Sequence, residues 1–146
     1  MKKETDVQAE LVKATTDAGG WGLKLNNRFL KGIPDLLLKW PTRPAALIEV
    51  KICPPLGLNH GFYLDLTSHQ VRSLRRFHDA GGTAGWLAIG KMKQPGMWRI
   101  ACGITFLERQ RIEPTHVFIR SPGKPWPVEQ IIEHLEHLKM KGMRHE

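Results

Sequence analysis

Gly32-Ile33-Pro34-Asp35-Leu36-Leu37-Leu38-Lys39-Trp40 and Ala46-Leu47-Ile48-Glu49-Val50-Lys51 decide the reading of this chain. Two apolar runs flank Pro41-Thr42-Arg43-Pro44, so the chain is expected to turn there and form a β-hairpin. Each run carries charge where a buried strand does not ordinarily tolerate it. Asp35 opens the first run, and Glu49 and Lys51 interrupt the second. Side chains alternate faces along a strand, so Glu49 and Lys51 share one face while Ile48 and Val50 share the other. Asp35 can then approach Glu49 across the hairpin, which places two carboxylates and one ammonium together.

Two carboxylates that close repel, and each is driven toward its neutral form unless a cation intervenes. A divalent ion with oxygen ligands removes that conflict, and Mg²⁺ suits a site with few carboxylates and a phosphate substrate. The neighbouring lysine can orient or deprotonate a metal-bound water, or balance charge that builds on a phosphate. This layout points to metal-assisted phosphodiester hydrolysis, with Mn²⁺ expected to substitute for Mg²⁺. The ordinary reading of a lone Glu-x-Lys is an edge strand that shows charge to solvent. Pro-Asp, a turn and then Glu-x-Lys on successive apolar runs favours the site.

The chain resembles the PD-(D/E)xK nuclease superfamily at this point, with Pro34-Asp35 and Glu49-Val50-Lys51 as its motif. The fuller run Gly32-Ile33-Pro34-Asp35-Leu36, with Thr67-Ser68-His69-Gln70 opening a later helix, is similar to the VRR-NUC branch. The resemblance implies an α/β, restriction-endonuclease-like core with a central mixed β-sheet flanked by helices in the order α-β-β-β-α-β. That core spans about residues 4–90 of a single nuclease domain, and residues 91–146 form a C-terminal strand and helix extension. It further implies a homodimer that cuts branched DNA such as Holliday junctions, in recombination or repair, in a phage or bacterial setting. The superfamily commonly places an acid on the first helix, which directs attention to Glu10, ahead of Glu4 near the terminus. It also implies Gln70 beside the active site, supporting Lys51 or a metal-bound water. The expected metal ligands are Asp35, Glu49, the Val50 carbonyl and Glu10, with Lys51 positioning the attacking water.

Composition agrees with a polyanionic partner. The 146 residues carry 22 Lys and Arg against 14 Asp and Glu, a net charge of +8, which favours nucleic acid first. Lys24, Arg28 and Lys31 precede the site, and Arg72, Arg75 and Arg76 lie on the outer side of the later helix; all six are candidates for phosphate contact. No apolar run is long enough to span a membrane, and the first residues lack the apolar stretch of a signal peptide. A cytoplasmic protein with no membrane and no nucleotide cofactor is expected. Cys53 and Cys102 are isolated, so neither a disulfide nor a zinc site is expected. An aromatic ribonucleoprotein signature is missing. The competing reading is a nuclease fold that binds DNA as an accessory without turnover.

The remaining elements follow from periodicity. Thr5 or Asp6 is expected to cap a helix through Ala14, ended by Gly19-Gly20. Trp21 to Asn26 alternates as a strand. Ile52 to Leu66 reads as an irregular loop facing substrate. Thr67 or Ser68 caps a helix through Asp79, closed by Gly81-Gly82. Ala84 to Gly90 is a buried strand with Met97 to Ala101 as its hairpin partner. Ile104 to Arg109 reads as a short helix or turn, and His116 to Ile119 as a short strand. Val128 to Lys141 is an amphipathic helix expected to pack within the chain.

Overall fold

The structure, a computed structural model, describes residues 3–25, 32–53, 61–113 and 116–143. Its elements run α1 (Glu4–Asp17), β1 (Trp21–Lys24), β2 (Leu36–Lys39), β3 (Ala46–Cys53), β4 (Phe62–Asp65), α2 (Ser68–Asp79), β5 (Thr83–Lys91), β6 (Trp98–Gly103), β7 (Arg109–Ile112), β8 (Phe118–Arg120) and α3 (Val128–Met143). Six strands make one sheet in the order β1-β2-β3-β5-β6-β8. Only β3 and β5 run parallel; the other pairings in that sheet are antiparallel. The parallel step is crossed by α2, as two parallel neighbours require a long connection. This is an α/β fold with a mixed central sheet flanked by helices, and the expected α-β-β-β-α-β order holds for the main sheet, with β4 of the second sheet inserted before α2.

Alternation along β3 divides the core. Ala46, Ile48 and Val50 join Val7 and Leu11 of α1 and Ile131, Ile132 and Leu135 of α3 on one face. Leu47 joins Leu64, Leu66, Leu74 and Trp86 on the other, beneath α2. Ile48, Leu74, Ile131 and Leu135 are completely buried, and each such side chain contributes about 1.5–3 kcal/mol of hydrophobic stabilisation. The two faces thus hold the central strand between helical layers. Glu49 is the exception on that strand.

Three expectations change. α1 starts earlier than Thr5 or Asp6, because Asp6 is not the cap: its Oδ2 accepts from the Lys3 N–H at 3.0 Å, so Glu4 already belongs to the first turn. The stretch from Ile52 to Leu66 is not all loop. Phe62–Asp65 is a strand paired with β7, and the expected helix or turn from Ile104 to Arg109 is instead irregular chain leading into β7 at Arg109. Phe62 and Leu64 point into the core while Tyr63 and Asp65 face out, so burial of one face stabilises the ribbon. The strand and helix extension expected beyond residue 91 is built into the main sheet. β6 and β8 extend the main sheet, and α3 packs on its centre.

α3 also fastens the parts that carry the hairpin. Arg43, in the turn between β2 and β3, reaches Glu133 at 2.7 Å and Glu136 at 2.9 Å. Lys139 donates to the His78 carbonyl at 2.9 Å and to that of Gly82. A lysine at those carbonyls complements the negative end of the α2 dipole. Among the described residues, no helix is long and apolar enough to cross a membrane.

Candidate active site

The site lies where the β2–β3 ladder stops. Leu36 opposite Ile48 is the last pair, and continuing that register would set Pro34 opposite Val50. Proline has no N–H to donate, so the ladder cannot continue. The Val50 N–H instead donates to Asp35 Oδ2 at 2.8 Å. The N–H and C=O of one strand residue leave on the same edge, so the Val50 carbonyl faces the Asp35 side as well. The Asp35 carbonyl in turn accepts from the Leu25 N–H at 2.8 Å, which ties this corner to the end of β1. Pro-Asp therefore ends a sheet and aims a carboxylate in one move.

Glu49 is 3% exposed, and its environment is sharply asymmetric. Oε2 accepts from Gln70 Nε2 at 3.0 Å and lies 3.4 Å from Lys51 Nζ. Oε1 is buried with no hydrogen-bond partner. Burial first, and the Asp35 charge after it, push the Glu49 carboxyl up to about 8 against the opposing pull of Lys51. Asp35 is also raised, by burial first, against the Val50 N–H, Glu49, Lys51 and a side-chain hydrogen bond from Gln8. Without a cation, burial and the neighbouring charge favour the neutral form of both acids, of Glu49 most. Like charges forced together in a poorly solvated place do this.

Gln70 is placed by the cap of α2. Its N–H donates to Thr67 Oγ1 at 3.1 Å, and its side-chain Oε1 accepts from the Thr67 N–H at 3.0 Å. This reciprocal capping box fixes which end of the amide faces outward, so Nε2 is left for Glu49. The start of α2 is also pressed onto the Asp35 loop. Gly32 has φ +82° and a Cβ there would fall 1.9 Å from His69 Cβ. Only glycine satisfies both the left-handed backbone and that approach.

On α1, the expected Glu10 and its alternative Glu4 lie on different faces. Glu10 faces away from the pair: its Oε1 accepts from Trp126 Nε1 at 3.3 Å and lies 3.8 Å from Arg120. Glu4 faces it instead. Its carboxyl is raised by burial and by the Asp35 charge, while Lys51 lowers it. Its charge also helps burial raise the Cys53 thiol to about 11. Helical phase explains the exchange, since Glu4 and Gln8 are four residues apart and share a face, whereas Glu10 is rotated well away. Gln8, 5% exposed, was missed altogether. The available signal was an amide on the flank of the apolar stripe of Val7, Leu11 and Ala14, next to Thr15.

The basic candidates separate likewise. Lys24 lies at the end of β1, with Nζ 3.5 Å from the Thr5 carbonyl, beside the first turn of α1. Arg72, Arg75 and Arg76 are exposed on α2, and Arg75 donates to the Phe106 carbonyl at 2.7 Å. Arg28 and Lys31 lie outside the described residues.

Among the described residues, no three of His, Cys, Asp and Glu converge as a ready metal-binding cluster. Two carboxylates and a backbone carbonyl do offer hard oxygen donors, and the unpartnered Glu49 Oε1 wants a positive neighbour. That set fits an ion such as Mg²⁺, which keeps several waters and takes one or two carboxylates.

No family model matches the chain, and no curated protein matches it. One solved chain described as a VRR_NUC domain is 26% identical, over 62% of this chain and 87% of that one, with a TM-score of 0.45. A likeness that partial carries no argument about the residues here.

Proposed function

We propose that this chain is a divalent-metal-dependent nuclease that hydrolyses phosphodiester bonds in DNA. The observation that carries the proposal is half-buried Asp35 set against buried Glu49 beside Lys51, with the Glu49 Oε1 atom enclosed and without a donor. Asp35, Glu49 and the Val50 carbonyl would hold Mg²⁺ or Mn²⁺, with Glu4 acting through water. When bound, the ion supplies Lewis-acid polarisation of a phosphate and a lowered water pKa. Lys51 orients the attacking water and balances charge on the phosphate, and Gln70 keeps Glu49 turned toward the ion. Lys24 and the outward arginines of α2 give a phosphate backbone cationic contacts close to this corner.

The net charge of +8 supports a nucleic-acid substrate. Selectivity for branched DNA and action as a homodimer are parts of the same reading, drawn from the resemblance of the Pro-Asp and Glu-x-Lys motifs. The test is cleavage of labelled linear duplex, single strand, flap, splayed arm and four-way junction with Mg²⁺ or Mn²⁺, wild type against Glu49→Ala. Metal-dependent cutting that disappears in the variant supports the proposal, and paired incisions at the junction support the dimeric form. Binding without cutting of any substrate rejects it in favour of an accessory DNA-binding protein.

A further inference from the structure

A buried amide oxygen on α1 has no assigned task. Gln8 is nineteen-twentieths enclosed, and its Oε1 is buried without a hydrogen-bond partner. Such a group costs about 1–3 kcal/mol when left unsatisfied, so it calls for a donor that the protein itself does not supply. Its place is well defined. The Gln8 side chain lies near enough to Asp35 to hold its carboxyl down as a donor does, and a donor to a carboxylate is the NH₂ end of the amide. The oxygen on the same small amide therefore lies within a few ångströms of the Asp35 carboxylate.

Two glutamines thus attend the two acids, Gln70 on Glu49 and Gln8 on Asp35. Gln70 has both ends in use. Gln8 has one.

We propose that Gln8 is a positioning residue of the metal site, turning Asp35 toward the ion and accepting, through Oε1, a hydrogen bond from a water in the ion's coordination shell. This inference rests on the metal-site reading above. Mg²⁺ retains most of its waters in protein sites, each with strongly polarised O–H groups that seek acceptors. Groups that hold the ligands and waters of a metal commonly change its affinity by 10–100-fold when removed. An apolar side chain at residue 8 would pack as well against Val7 and Leu11, so packing alone does not ask for the amide.

The experiment is calorimetric titration of Mg²⁺ into the full chain, with thermal melting in EDTA alongside. Gln8→Met keeps the shape and removes both polar ends. The expected result is an Mg²⁺ dissociation constant raised at least about tenfold, with the EDTA melting temperature unchanged or higher. Wild-type affinity in Gln8→Met overturns the inference, whatever its melting temperature. Should that variant fail to fold, Gln8→Asn retains the amide but withdraws it by one methylene; weakened binding supports the inference and undiminished binding overturns it. Asp35→Asn separates the two levels. If it abolishes Mg²⁺ binding while Gln8→Met does not change it, only the role of Gln8 falls. If wild type binds no Mg²⁺, or Asp35→Asn binds it undiminished, the metal-site reading falls and this inference falls with it.

Discussion

On the α2 side of the site, Gln70 gives its carbonyl oxygen to the Thr67 N–H and its amide hydrogens to Glu49. On the α1 side, Gln8 gives its amide to Asp35 and keeps a buried oxygen without a partner. The same side chain does two different jobs. The α2 glutamine is complete in the protein alone, because the helix cap uses the end that the site does not. The α1 glutamine is complete only with something added. An unsatisfied buried atom marks where a site expects its ligand, while a satisfied one marks the frame that holds it.

The contrast can be broken first on α1. Glu4→Gln is expected to slow cleavage and raise the Mg²⁺ requirement by about 10–100-fold. Glu10→Gln should leave both unchanged, since Glu10 is engaged with Trp126 and Arg120. Steady-state cleavage across a Mg²⁺ series checks this, and the reverse pattern would return the first-helix acid to Glu10.

A second prediction concerns pH. In the metal-free protein Glu49 holds its proton up to about 8, against an ordinary value of 4.5. The folded chain then binds more protons than the unfolded chain between those limits, so this group's contribution to stability falls as pH rises through that window. Melting temperature in EDTA should drop by several degrees from pH 5 to pH 8, and Glu49→Gln should flatten the slope. Saturating Mg²⁺ should raise stability most at the alkaline end, because the ion requires the ionised carboxylates.

The smallest effect sharpens the α2 side. Thr67→Ala removes a helix cap worth about 1 kcal/mol and should lower the melting temperature by about 3 °C. Mg²⁺ affinity should change by less than about twofold, since the Gln70 oxygen keeps the backbone N–H of residue 67. Calorimetry alongside melting reads both. A large loss of affinity would mean that the cap, and not the backbone, sets the amide.

Much of this was legible in the sequence, for a local reason. Strand periodicity placed Glu49 and Lys51 on one face, Pro34-Asp35 stood out as a motif before the turn, and Thr67 or Ser68 marked the start of α2. Each of those signals is contained within a few residues. The first-helix acid was not legible in that way, since which face of α1 meets the sheet end is decided by tertiary packing. Reading Thr5 or Asp6 as the cap also placed Glu4 outside the helix it begins. The ribbon of β4 and β7 was missed because its partners are distant in the chain, and neither four-residue strand shows its purpose until the other covers it.

Gly32 has a mechanical consequence. Its backbone lies so close to His69 that the loop carrying Asp35 and the helix carrying Gln70 have no clearance between them. Like a calliper locked by a stop, the Asp35 loop has a set distance from the helix whose Gln70 holds Glu49. In the proposed metal site, such a fixed frame would sort ions by radius as well as by charge.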